Sequence, residues 1–372
     1  MRTDTHSSLT EILPSIAERE HNEPETFPAG SISALYDAGV IAAPFARDLG
    51  GSGSTLGESI ADIEAIATVS PSTALIAAMP LGFAGIFGLG SDIAPDHHRT
   101  AYADQIERVA ADYRQGRIYA ACNSEKGAGG SLEATKTVAV KGSDGGLVIT
   151  GEKILASSGR NASTFVSTAK VSQEDLAGAG IVEFFLIDVD APGVEILDDW
   201  DGFGMRSTES QTVKYAETPT REVMGFPDFI NTVKPLEYFY CLFAAIPLGC
   251  AKSILEAIAT PAPQSPVLRL RLSEAAMRYE AMRAYLHETA GDFRPAAGAE
   301  YGARVLRTKT YVTQEATKLC AELFALGGGR NYRRTSPVAR ALADSFAGTA
   351  LRPPLALALE KMVDEFSLGD AE

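Results

Sequence analysis

No CxxC pair, HExxH motif, phosphate-binding P-loop or GxSxG elbow occurs in this chain, so zinc-finger, zincin, P-loop and serine-hydrolase readings have no signature to stand on. Cysteine is scarce and scattered (Cys122, Cys241, Cys250, Cys320), a pattern that reads as free thiols in a reducing cytoplasm. Of the five histidines, only His97 and His98 stand together. Adjacent residues of a helix do not share a face, so they are expected at the surface rather than on a metal. Positive charge is in deficit, 33 Lys and Arg against 48 Asp and Glu, for a net charge of −15. A phosphate backbone needs a basic stripe, so no nucleic-acid partner is expected, while a small anionic ligand needs only local cations. The longest apolar stretch, Ala74 to Leu89, is broken by Pro80, Gly82, Gly85 and Gly88. It is short for a membrane span and reads as a buried helix. Met1 to Glu20 carries Asp4, Glu11 and Glu18 with no long apolar run and is not expected to be a signal peptide. A cytoplasmic protein without a membrane partner is the expectation.

What is present is length and apolar content. With 372 residues, 45% of them hydrophobic, the chain can form two or three domains with sizeable cores. Residues 1–114 read as helices, with Ser31 capping one that ends near Gly39 and Thr55 capping the next. A buried helix is expected over Thr73 to Phe87 and a polar one over His98 to Arg114. Across residues 115–222 short apolar runs alternate with Gly, Ser and Asp turns: Arg117 to Cys122, Thr135 to Val140, Leu147 to Thr150, Phe165 to Ala169, Ile181 to Val189 and Gln211 to Tyr215. Such spacing predicts a small β-barrel or sandwich. Over residues 223–372 the helical period returns, broken at 259–266, and Ala316, Leu319, Cys320, Leu323 and Phe324 share one face before Gly327. The expected fold is α+β and multidomain: an N-terminal helical domain, a middle antiparallel β-barrel or sandwich, and a C-terminal helical bundle.

Three segments could carry chemistry. Asn123 to Ser131 follows a strand and concentrates hydroxyls and glycines, which let backbone amides approach a ring carbonyl or phosphate. Its Gly127-Ala128-Gly129-Gly130 lacks the third glycine of a dinucleotide fingerprint and follows no βαβ pattern, which rejects a Rossmann reading. Gly151 to Gly159 follows a second strand and includes Ser157 and Ser158. Gly327 to Arg334 ends a helix and carries Arg330, Arg333 and Arg334. Singly these are turns and a helix cap; together they favour an anionic, planar cofactor.

On those segments the chain resembles the acyl-CoA dehydrogenase superfamily. Ser124 to Thr137 (SEKGAGGSLEATKT) is similar to its TEPGAGSD…KT flavin loop, and Gly151 to Ser158 (GEKILASS) to its GxKxWITN turn. Phe185 to Asp188 with Pro192-Gly193-Val194, Gly204 to Thr208, Gly328-Gly329 and Pro337 to Asp344 resemble further family motifs in the same order. The resemblance implies FAD rather than FMN, an acyl-thioester substrate, an electron acceptor or flavin reductase, and a homodimer or homotetramer. By match, Ser124 and Ser157 would hydrogen-bond the flavin ring, with Ser157 near N5. Gly130 and Ser131 stand at the family's Ser-Asp pair, and Leu155 replaces its shielding tryptophan. Gly328 and Gly329 would meet the cofactor of a neighbouring subunit.

The chain departs from the family in two places. The Arg-x-x-Phe-Gly segment that reaches the flavin pyrophosphate is missing, its place taken by the proline-rich break with Arg269 and Arg271. Arg330 is the expected substitute, because arginine grips phosphate through two parallel N–H bonds. The catalytic glutamate is also missing: ungapped counting puts Arg352 there, and matching Phe346 to Thr349 puts Ala347 there. An alternative family placement falls at Phe239, leaving Glu237 as the candidate base. Three functions stay open: α,β-dehydrogenation of an acyl thioester, a flavin-dependent monooxygenase or oxidase on the same fold, and a silent subunit beside an active partner.

Overall fold

The computed structural model describes residues 5–367 apart from 129–131, 133, 144, 173, 177, 179 and 296–297. Helices come first: α1 (Thr5–Asn22), α2 (Ala29–Asp37), α3 (Leu56–Val69), α4 (Pro71–Ile93) and α5 (Arg99–Arg114). Thr55 caps α3 as expected. Its hydroxyl accepts from the Glu58 backbone N–H at 3.2 Å while the Glu58 carboxylate accepts from the Thr55 N–H at 2.7 Å, a reciprocal capping box. Ser31 is not a cap: α2 begins two residues earlier, directly after Pro28, and Ser31 is buried inside it. The proline ring presets the chain for the first turn and places the helix start ahead of the serine.

The strands follow: β1 (Tyr119–Cys122), β2 (Val138–Lys141), β3 (Leu147–Ala156), β4 (Thr164–Val171), β5 (Val182–Asp188), β6 (Val194–Ile196), β7 (Gln211–Pro219) and β8 (Glu222–Met224). They form one sheet in the order β6-β7-β3-β2-β4-β5-β8, with β1 also on β4. Most neighbours are antiparallel, but both β1 and β2 run parallel to β4. β1 pairs with Thr164–Ser167 and β2 with Lys170–Val171, so the two share one edge of β4. The chain between them leaves that edge and returns to it, and this excursion is the glycine-rich loop.

The excursion is pinned by a buried ion pair. Lys153 Nζ, from β3, donates to the Glu125 carboxylate at 2.6 Å and to the Thr168 carbonyl at 2.6 Å, within the break between the two parallel pairings. Glu125 also accepts from the hydroxyls of Thr135 and Thr137 and from the Lys136 and Thr137 backbone amides, so both ends of the loop meet on one carboxylate. Burial alone would raise this carboxyl, but the bonds from Lys153, Thr135 and Lys136 outweigh it and hold it down at about 2.

The remaining helices are α6 (Phe229–Val233), α7 (Pro235–Ala259), α8 (Pro266–Gly291), α9 (Ala299–Leu326), α10 (Pro337–Ser345), α11 (Ala347–Ala350) and α12 (Leu355–Ser367). Helices α4 and α7 are long and apolar enough to cross a membrane, yet 89% and 72% of their most apolar windows are buried inside the fold, so they are its core helices. Gly82 lets them meet: a Cβ there would fall 2.3 Å from the Phe239 ring. Glu64 of α3 ties in α8 through Tyr279 and through Arg283 at 3.1 Å. All four cysteines are buried and unpaired, and no cluster of potential metal ligands occurs among the described residues.

Lys153→Met should cost about 3–5 kcal/mol in urea unfolding, since it strands a buried carboxylate. The Glu125 contribution has its own pH signature. With a folded value near 2 against 4.5 in the open chain, it is complete above about pH 4.5 and fades as the pH falls toward 2. The stability gap between wild type and Glu125→Gln should close over that window.

Candidate flavin site

Between the sheet and the core helices lies a cavity of about 300 Å³. Leu75, Met79 and Phe83, four residues apart on α4, form one wall. Phe239 and Phe243 of α7 form another, and the Phe83 and Phe239 rings meet edge to face at 5.2 Å. The sheet contributes the ends of two strands. Ser124, just past β1, is locked to β3 by the Ile154 N–H donating to its carbonyl at 2.8 Å. At the end of β3 the pairing with β7 slips between Lys153 and Ala156, and Leu155 sits at φ +58. This bulge leaves Leu155 half exposed at the cavity mouth and carries Ser157 into the wall. Ser124 and Ser157, thirty-three residues apart in the chain, thus line one cavity.

A chain of hydroxyls backs Ser157. Its Oγ lies 3.0 Å from Ser210 Oγ, which lies 2.7 Å from Thr208 Oγ1, and Thr208 donates to the Met205 carbonyl at 2.8 Å. Each hydroxyl has one proton. Thr208 spends its proton on the carbonyl, so Ser210 donates to Thr208 and Ser157 donates to Ser210. Ser157 therefore turns an acceptor toward the cavity. The loop carrying Trp200 and Met205 is held from below. The buried Asp344 carboxylate accepts from the Met205 N–H at 2.5 Å, and burial raises that carboxyl to about 6. Gly204 lies so close to α10 that a Cβ would sit 2.4 Å from the Ala343 carbonyl oxygen.

The other expected site residues lie elsewhere. Gly130 and Ser131 fall outside the described residues. Gly328, Gly329 and Arg330 are exposed and do not line the cavity. Glu237 is on α7, but Phe239 lines the cavity and Glu237 does not; two residues are a rotation of about 200°. Its carboxylate lies against α9, where a Cβ on Gly302 would come within 2.8 Å, and burial raises it. The expectation that Glu237 serves as base is set aside on that geometry. No Asp, Glu or His lines the cavity among the described residues; its one charged side chain is Arg352. Sequence reading missed Ser210, Trp200 and the α4 wall, although the four-residue spacing of Leu75, Met79 and Phe83 was a signal for the last.

The order of motifs agrees with comparisons to known proteins. Residues 120–217 match the acyl-CoA dehydrogenase middle domain, and residues 241–351 match the acyl-CoA dehydrogenase C-terminal domain. The chain belongs to the acyl-CoA dehydrogenase superfamily. A superfamily relative, cyclohexane-1-carbonyl-CoA dehydrogenase of Geobacter metallireducens, is 24% identical over 84% of this chain and 83% of its own. KijD3 solved with FMN and an amino-keto-sugar nucleotide superposes with a TM-score of 0.84 at 20% identity, covering 100% of this chain and 95% of that one. A nitrososynthase from Micromonospora carbonacea superposes at 0.80 with 20% identity over 98% and 97%. The fold is that of this superfamily of flavin oxidoreductases.

The cavity residues fit a flavin ring: apolar flanks and serine hydroxyls on two strand ends. Ser157→Ala should weaken binding of reduced flavin, whose ring carries an extra N–H donor, more than binding of oxidised flavin. A lost hydrogen bond of about 0.5–1.5 kcal/mol lowers the two-electron potential by roughly 10–30 mV. A spectroelectrochemical titration measures it, and an unchanged or higher potential contradicts the acceptor assignment.

Proposed function

We propose that this chain is a flavin-dependent monooxygenase on the acyl-CoA dehydrogenase fold, using reduced flavin supplied by a separate reductase and acting on a small, largely apolar substrate. The observation that carries the reading is the cavity wall, which among the described residues has no carboxylate or imidazole, and which has an arginine at the ungapped position of the family's glutamate. Dehydrogenation α,β to a thioester needs a base within hydrogen-bond reach of the α proton. Arginine stays protonated and cannot take that proton. Oxygen transfer places no such demand: one oxygen atom enters the substrate, the other leaves as water, and reduced flavin supplies two electrons.

The chain's own residues suit that task. Ser157 offers an acceptor to a ring N–H, Ser124 lies at the end of β1, and Phe83, Phe239 and Phe243 make the space beside them apolar. The resemblance implies FAD, but the missing pyrophosphate segment and the exposed Arg330 favour FMN. The likeness to KijD3 solved with FMN and to a nitrososynthase supports the same direction. A homodimer follows if the exposed Gly328-Gly329 turn meets a second copy's cofactor.

Two measurements test the reading. Acyl-CoAs of short to long chain, added without oxygen, should leave the spectrum of the flavin-loaded protein unchanged, and bleaching by any of them overturns the proposal. In rapid mixing with oxygen, protein-bound reduced FMN should return to the oxidised form more slowly than free reduced FMN. Arg330→Ala should leave FMN binding unchanged; a loss confined to FAD would assign the pyrophosphate contact to Arg330 and restore FAD.

A further inference from the structure

Arg352 is a buried cation with an unpartnered nitrogen. It lies between α11 and α12 and lines the cavity. Its Nη2 donates to the Asn123 carbonyl at 3.1 Å, but its Nη1 is shut off from water and has no partner. No carboxylate pairs with it among the described residues: of the two groups that act on it, Tyr240 is a buried phenol and Glu125 is already paired with Lys153 at 2.6 Å. The segment is held from behind by Lys309, whose buried Nζ donates to the carbonyls of Leu351 and Pro353 at 2.9 Å each, the residues on either side of Arg352. Lys309 therefore fixes the backbone on both sides of Arg352. Beside Arg352, Asn123 Oδ1 is also buried and unpartnered, and an amide presents either its oxygen or its N–H group by a flip.

A buried, unpaired guanidinium is costly, and a buried donor left unmade adds to that cost. The cost is relieved when a ligand brings negative charge to Nη1. Apart from the serine hydroxyls on the strand ends, much of the wall is hydrocarbon: Leu75, Met79, Phe83, Phe184, Phe239 and Phe243. We infer that Arg352, with Asn123 beside it, is the anchor for an oxyanion on the substrate, so that the cavity selects an apolar or aromatic body ending in a carboxylate or phenolate rather than a neutral thioester carbonyl. This deepens the monooxygenase reading by naming its substrate class and rests on the same cavity. The binding claim itself does not need oxygen transfer to be correct.

Calorimetric titration of the flavin-loaded protein with benzoate and with its neutral counterpart benzamide tests the inference. A charge-assisted hydrogen bond should favour benzoate by roughly ten- to hundred-fold in the wild type. In Arg352→Met the preference should shrink to about two-fold or less, with benzamide affinity little changed, while Arg352→Lys should retain part of it. Equal wild-type affinities for the two probes, or a benzoate preference that survives in Arg352→Met, overturns the inference. If Arg352→Met does not fold, the wild-type comparison and Arg352→Lys still decide: a lysine variant that keeps the full preference places the anion elsewhere. Because no turnover is read, selective benzoate binding by a protein that fails the oxygen test would sink the monooxygenase reading and leave the oxyanion anchor standing.

Discussion

The contact between Lys153 and Glu125 is the constraint on which the rest of the site depends. The sheet leaves a break where β1 and β2 share the edge of β4, and a polar backbone carbonyl there needs a donor. Lys153 supplies it and at the same time holds the carboxylate that gathers both ends of the glycine-rich loop. Asn123 and Ser124 sit immediately before that carboxylate in the chain, so their positions follow from it. Asn123 in turn receives Arg352. One buried ion pair thus connects the middle sheet, the glycine-rich loop and the last helical block. It suits this role because breaking either half leaves an uncompensated charge in a dry interior.

The cavity itself has an electrostatic character unlike the surface around it. The chain carries a net charge of −15, yet among the described residues the one charge on the cavity wall is positive and no carboxylate pairs with it. The serine relay adds direction at the other functional group, since a carbonyl at its far end leaves Ser157 as an acceptor. An arginine on such a wall suits the recognition of negative charge rather than the removal of a proton. Fold alone does not choose between these chemistries, and the side chains on the wall do.

Much of the architecture was legible because the hydrophobic period changes twice, near residues 115 and 223, and because the long apolar helices announce themselves as core. β6 and β8 escaped notice, since each is only three residues long and such runs carry no measurable period. Ser124 and Ser157 could be picked out because each follows a strand and belongs to a recognisable motif. Ser210 could not, because its role comes from a hydroxyl contact across the sheet that depends on how β3 meets β7. Glu125 and Lys153 stood inside those same two motifs, but opposite charges 28 positions apart signal a pair only once register brings them together. Glu237 misled because it shares a helix with Phe239 but not its face, and Arg352 was dismissed as a failed base although its unpaired nitrogen is the more informative fact.

The loop between β1 and β2 has a consequence for how such proteins diversify. It leaves and rejoins the same edge of the same strand, and its two ends are clasped on one carboxylate rather than spliced into the sheet. Its interior can therefore gain or lose residues at little more than the slowly rising entropy of a longer closed loop, without shifting the register of any strand. In evolutionary terms it is a cassette: lineages could exchange its tip to suit a different ring substituent or substrate tail, provided the glutamate and its lysine descend together.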